Sequence, residues 1–201
     1  MTSKFAKAAA SIALAFTMVA SLAACSSDPL AEAYREGSNN GFIAADGFRV
    51  VEIPEEERTE PVEFDAVLDN GETVTSDDYL GEVLVVNFWY AACAPCRLEA
   101  PELEAAHQEF IDDEVEFLGV NLYDGAEQSQ AFADTYGITY PSALTTVDGS
   151  IKLAFAGKTP LNAVPVTLVL DQEGRVAVRI IGVVESASIL ETLVRDTLDE
   201  S

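Results

Sequence analysis

The run Val83-Leu84-Val85-Val86-Asn87-Phe88-Trp89-Tyr90-Ala91-Ala92-Cys93-Ala94-Pro95-Cys96-Arg97 constrains this chain more than any other. Val83 to Phe88 is almost continuously apolar, as suits a strand covered on both faces. Two cysteines three apart follow it where a helix is due to start. The first thiol would sit at that helix N-terminus, where free amides and the helix dipole favour a thiolate. The second would lie one turn further in, more buried, and placed to close a small disulfide ring with the first. Pro95 suits a helix start, because it presets φ and gives up an N–H that has no partner there. Three plainer readings compete. Half a zinc site needs a second Cys or His pair, and the chain holds only three Cys and one His. A purely structural disulfide would close too short a loop to stabilise much. A chance pair of buried thiols is the third.

The surrounding pattern predicts an α/β domain from Pro61 onward. Val62, Phe64, Ala66 and Leu68 alternate before an Asn70-Gly71 turn. A helical stretch is expected from the cysteines to about Phe110, with Pro101 inside it. Val115 to Asn121 reads as a second buried strand, and Gln128 to Tyr136 as a helix. Val166 to Asp171 and Val176 to Ile181 read as two antiparallel strands joined at Glu173-Gly174. Ser186 to Leu198 reads as an amphipathic helix, with Ile189, Leu190, Leu193, Val194 and Leu198 inward. This order implies a mixed sheet with helices on both faces. His107 reads as a half-buried packing residue and Asp124 as a loop cap.

The N-terminus has the layout of an export signal. Lys4 and Lys7 precede an apolar run from Ala8 to Ala20, broken only by Ser11 and Thr17. That run is shorter than the about 20 residues a membrane-spanning helix needs. Leu22-Ala23-Ala24-Cys25 then resembles the lipobox of bacterial lipoproteins, with Cys25 as the lipidated residue. Residues 1–24 are therefore expected to be a lipoprotein signal peptide and 25–60 a tether that partly docks on the domain. Phe42-Ile43 and Phe48 to Ile53 within it are candidate edge strands. Residues 61–201 make the domain. Eleven Lys+Arg against 35 Asp+Glu leave a net charge of −24, which excludes nucleic-acid binding for want of a basic face.

The cysteine run resembles the active site of the TlpA/ResA-like, or DsbE-like, thiol–disulfide oxidoreductases of bacterial envelopes. The resemblance extends over about Pro61 to Glu200. It rests on Gly81-Glu82-Val83 through Trp89, on Trp89, Cys93, Cys96 and Arg97, on Tyr136-Gly137-Ile138-Thr139-Tyr140-Pro141, and on Pro165-Val166-Thr167-Leu168-Val169-Leu170-Asp171. It implies a thioredoxin-like fold with an N-terminal β extension. It also implies a redox disulfide between Cys93 and Cys96 and a cis-proline at Pro165 that faces them. Val164, Trp89, Ala94 and Pro95 become the residues beside the substrate, with Trp89 expected to pack under the site more than to touch substrate. Glu99 follows Cys96 by three residues on the same helical face. The resemblance makes it a carboxyl that tunes the cysteines, against the plainer reading of a solvated helix charge. Two departures stand out. Asn87 replaces the buried Asp of thioredoxins, and Ala92 replaces the Trp that most relatives carry before the first Cys.

The function implied is dithiol–disulfide exchange without a cofactor or metal, outside the cytoplasm, at a lipid anchor. Clients would be exported proteins with disulfides or dithiols, apocytochrome c among them. Electrons would come from a membrane donor of the CcdA/DsbD-like kind. The uncharged Ala94-Pro95 pair lacks the His of strongly oxidising sites, which leans the site towards reduction. A dithiol oxidase and a non-catalytic binding module are the alternatives.

Overall fold

The structure, a computed structural model, describes residues 42–43 and 49–200. The expected signal peptide, Cys25 and much of the expected tether lie outside the described residues.

Nine strands and four α-helices alternate along the described chain. The strands are β1 (Phe42–Ile43), β2 (Arg49–Glu52), β3 (Asp65–Val67), β4 (Thr73–Thr75), β5 (Val83–Trp89), β6 (Val115–Asn121), β7 (Ser142–Leu144), β8 (Val166–Leu170) and β9 (Val176–Ile181). The helices are α1 (Ala94–Glu109), α2 (Ala126–Tyr136), α3 (Ser150–Phe155) and α4 (Ala187–Asp199). Seven strands form one mixed sheet in the order β1-β2-β9-β8-β5-β6-β7, and β3 and β4 form a separate hairpin. β5 runs parallel to β6 and antiparallel to β8.

Burial on both faces explains the apolar run of β5. Val83 and Val85 join a core with Leu103 and Phe110 of α1 and Leu190 and Val194 of α4. Leu84, Val86 and Phe88 join the opposite core, with Phe64 beside the hairpin and Ile151 and Phe155 of α3. Successive side chains of a strand point to opposite faces, so only an unbroken apolar strand can fill two cores. The alternating Val62, Phe64, Ala66 and Leu68 are all buried in that second core.

The candidate edge segments lie in the main sheet. β1 pairs with β2, and β2 pairs with β9 along its length. Residues 53–58 are anchored as well. Arg58 donates from Nε to the Ile53 carbonyl at 3.0 Å and from Nη1 to Asp171 at 3.1 Å, and pairs with Glu200. The β8–β9 connection turns tightly at Gly174, whose φ of 78° only glycine takes without strain.

In α4 the inward face is Leu190, Leu193, Val194 and Thr197, all buried. Ile189, expected inward, is 38% exposed. The helix lies rotated towards Thr197, whose hydroxyl is satisfied by the Leu193 carbonyl at 2.8 Å.

Candidate active site

Two pieces of register bring the site together. β5 ends at Trp89, and the chain turns through Tyr90–Ala92 into α1, with Cys93 as its N-cap. β8 starts where β5 ends, because Val166 pairs with Phe88. Pro165 therefore lies at the same end of the sheet as the cysteines. The Val164–Pro165 peptide bond is cis, and the Pro165 carbonyl accepts the Gly182 amide at 3.0 Å.

Cys93 and Cys96 are joined in a disulfide, with their Cα atoms 5.3 Å apart. The Cys96 amide donates to Cys93 Sγ at 3.2 Å. This is the helix-start geometry that favours negative charge on the first sulfur once the bond is opened. Cys93 was expected to be the more accessible thiol. The structure corrects this for the oxidised form, in which both residues are only 2% exposed. The disulfide packs in a small cluster with Trp89, Ala91, Ala100 and Phe132, against which Tyr90 and Val164 also pack.

Around the sulfurs, Ala92 and Ala94 are exposed, and Pro95 and Val164 are half-buried. Trp89, expected among the residues beside the substrate but more to pack under the site than to touch substrate, is only 5% exposed. Its ring lies 4.2 Å from that of Phe132, so it forms the floor under the disulfide and presents little surface to a substrate. Aromatic surface at the rim comes instead from Tyr90 and Tyr123, with rings 5.2 Å apart and edge-on. The absence of a Trp at position 92 does not leave the rim without aromatics.

Glu99 is fully buried, which removes the solvated-helix reading. Its Oε1 accepts from Asn87 Nδ2 at 2.8 Å and its Oε2 from the Val184 amide at 2.9 Å. Asn87 also donates to Thr167 Oγ1 at 3.0 Å. Burial pushes the Glu99 carboxyl up to about 7, and the bonds from Val184 and Asn87 hold it back from rising further. A carboxyl poised near neutrality can hold or release a proton at little cost.

Sequence reasoning passed over Asn87 and Val184 as the donors to Glu99, and Thr167 as the further partner of Asn87. Polar residues inside otherwise apolar strands were the signal, since a buried amide or hydroxyl needs a partner. Asp124 caps more than its own loop. Its Oδ2 accepts the Ala91 amide at 2.6 Å, in the turn that leads to Cys93. His107 is buried against Phe117 and Tyr140, with Nδ1 3.1 Å from Thr139 Oγ1. Among the described residues no group of three or more His, Cys, Asp or Glu is arranged to hold a metal ion.

A family model described as AhpC/TSA matches residues 59–179. The chain belongs to the AhpC/TSA family. The matched span takes in the β3–β4 hairpin, both cysteines and Pro165 of this AhpC/TSA chain. The thiol:disulfide interchange protein HelX of Rhodobacter capsulatus is 35% identical over 102 residues, which are 51% of this chain and 53% of HelX. The thiol-disulfide oxidoreductase ResA of Halalkalibacterium halodurans is 29% identical over 107 residues, 53% of this chain and 57% of ResA. The chain thus spans little more than half the length of these curated relatives. Among solved structures, a DsbF homologue from Corynebacterium diphtheriae matches with a TM-score of 0.63 and 28% identity. That match covers 77% of this chain and 97% of the other. The fold is thioredoxin-like, as the resemblance implied.

Proposed function

We propose that this protein is a thiol–disulfide oxidoreductase that reduces disulfides in exported client proteins. The observation that carries the reading is the Cys93–Cys96 disulfide at the N-terminus of α1, beside cis-Pro165 and the buried Glu99. The names of HelX and ResA support the same chemistry. In the reduced protein the Cys93 thiolate attacks one sulfur of a client disulfide. A mixed disulfide forms and the other client sulfur leaves as a thiolate. The Cys96 thiolate then attacks Cys93 Sγ, which closes the Cys93–Cys96 bond and releases the second client thiolate. Glu99 takes the Cys96 proton as that attack begins. Val164 and Pro165 line the edge along which an extended client segment lies, with Ala94 and Pro95 facing it.

The oxidised pair must be reduced again, and a membrane dithiol donor of the CcdA/DsbD-like kind fits that need. The export-like N-terminus and Cys25 support work outside the cytoplasm on a lipid anchor. A client with closely spaced thiols kept reduced for ligation, such as apocytochrome c, suits a reductant in that place.

The reduction potential of the Cys93–Cys96 pair tests the direction of flow. A value near that of thioredoxin, about −270 mV, is expected. A value near that of DsbA, about −120 mV, would make the protein a disulfide donor instead. Cys93→Ser should abolish reduction of a model disulfide, and Cys96→Ser should trap mixed disulfides. A redox-inert pair in the folded protein would leave a binding module.

A further inference from the structure

The backbone of Ala91 is gripped from two sides. Its N–H donates to Asp124 Oδ2 at 2.6 Å, and its carbonyl accepts from Arg97 Nε at 2.8 Å. Ala91 lies two residues before Cys93, and Arg97 follows Cys96 directly. The two grips therefore bracket the disulfide, one from the loop after β6 and one from the first turn of α1.

Asp124 is itself held in place. Asn121 Nδ2 donates to the same Oδ2 at 2.9 Å, and Asn121 Oδ1 accepts the Asp124 amide at 2.7 Å. Thr146 Oγ1 donates to the Asp124 carbonyl at 2.9 Å, and Thr145 Oγ1 to the Leu122 carbonyl at 2.9 Å. Leu122 in turn donates its amide to the Trp89 carbonyl at 3.0 Å. Segments following β5, β6 and β7 are thus tied into one unit, and Asp124 is its junction. A buried carboxylate with two fixed donors, on a backbone that is itself held, is a strong and well-aimed acceptor.

We propose that Asp124 and Arg97 are positioning residues that clamp the Ala91 backbone and so keep Cys93 within reach of Cys96 when no bond joins them. This rests on the disulfide-exchange reading above. In the resolving step the Cys96 sulfur must approach Cys93 Sγ opposite the departing client sulfur. The new bond takes the electron pair from Cys96, and the client sulfur leaves with the pair of the bond that breaks. The rate and the equilibrium of that closure depend on the effective concentration of one sulfur at the other, which small displacements lower steeply. In the oxidised form the S–S bond fixes that distance covalently. In the reduced and mixed-disulfide forms only non-covalent contacts do so. In the oxidised structure such contacts near the sulfurs are the Cys96 amide on Cys93 Sγ at 3.2 Å and the Cys93 amide on the Tyr90 carbonyl at 3.1 Å. The clamp supports the turn from which both contacts start.

The test uses the full chain with Asp124→Ala, Asp124→Asn, Arg97→Ala and the Asp124→Ala/Arg97→Ala double variant. Two quantities are measured: the equilibrium constant of the cysteine pair against a dithiol buffer, and the rate at which a mixed disulfide with a model thiol resolves. Asp124→Ala should lower the closure constant about tenfold, equivalent to about 30 mV. It should also let mixed disulfide accumulate although Cys96 is present. Asp124→Asn keeps an oxygen acceptor and should recover most of the loss. The double variant should cost less than the two single changes combined, because both act on the backbone of one residue. A merely structural role would lower the melting temperature of both redox forms alike and leave closure unchanged. That result, or wild-type closure in all variants, would overturn the proposal. Arg97 is exposed, so Arg97→Ala keeps the test decisive if Asp124→Ala does not fold. A wild-type pair that exchanges no electrons would instead overturn the exchange reading itself.

Discussion

Glu99 shows how strongly a single side chain depends on its surroundings. Its carboxyl rises from 4.5 to about 7 because burial disfavours the charge. Between those pH values the native state holds a proton that the unfolded chain has released. Stability therefore falls as pH rises through that window. The shift corresponds to on the order of 3 kcal/mol. Glu99→Gln in the oxidised protein should remove the slope, so that its stability relative to wild type rises by that order from pH 4.5 to 7.5. Urea denaturation at a series of pH values measures this, and a flat difference would refute it. Gly119 makes a steric case. A Cβ there would lie 2.3 Å from Ser142 Oγ and 2.9 Å from Trp89 Nε1. Gly119→Ala should cost roughly 1–3 kcal/mol by overpacking, and Ser142→Gly in the same chain should recover part of it. Neither effect could be read from residue order. The helical spacing of Glu99 behind Cys96 was legible, but its partners Asn87 and Val184 come from two separate stretches of chain.

Longer elements were legible, and of the short ones only some, such as the edge strands β1 and β2. β5, β6, β8, β9 and α4 are near where their periodicity placed them, since each buries several apolar residues in a regular pattern. β7 and α3 were not anticipated. Three and six residues carry too little periodicity to distinguish a strand or helix from a loop. β7 exists because the edge of β6 offers it a parallel partner, and α3 because Ile151 and Phe155 cover the second core. The orientation of α4 gives a direct test. Leu190 is fully buried and Ile189 is 38% exposed. Leu190→Ala should cost about 2–5 kcal/mol, and Ile189→Ala less than about 1 kcal/mol. Chemical denaturation of the two variants measures the difference. Equal losses would mean that α4 packs on the face that hydrophobicity alone suggested.

For the molecule as a whole, a net charge of −24 dominates the electrostatics. Self-repulsion of that size opposes the compact state and is screened by salt. Raising KCl from 0.05 to 1 M should therefore raise the melting temperature, by about 2–4 °C for each kcal/mol of repulsion relieved. Pairs such as Arg195 with Glu109 lose strength in the same salt, but exposed pairs of this kind contribute little. Calorimetry in KCl measures the balance, and a fall in melting temperature would show that the pairs outweigh the repulsion. The mixed sheet, the cysteine pair at a helix start and the acid one turn behind it were all readable in residue order. Each depends on interactions a few residues apart, or on runs of apolar side chains. The cis bond before Pro165 was an expectation carried by family resemblance rather than by local pattern. The equal burial of Cys93 and Cys96, the satisfaction of both Glu99 oxygens by Asn87 and Val184 and the grip of Asp124 and Arg97 on Ala91 arise when segments distant in the chain meet. Buried polar groups take whichever partners the packed fold brings to them, and one-dimensional spacing does not encode those partners.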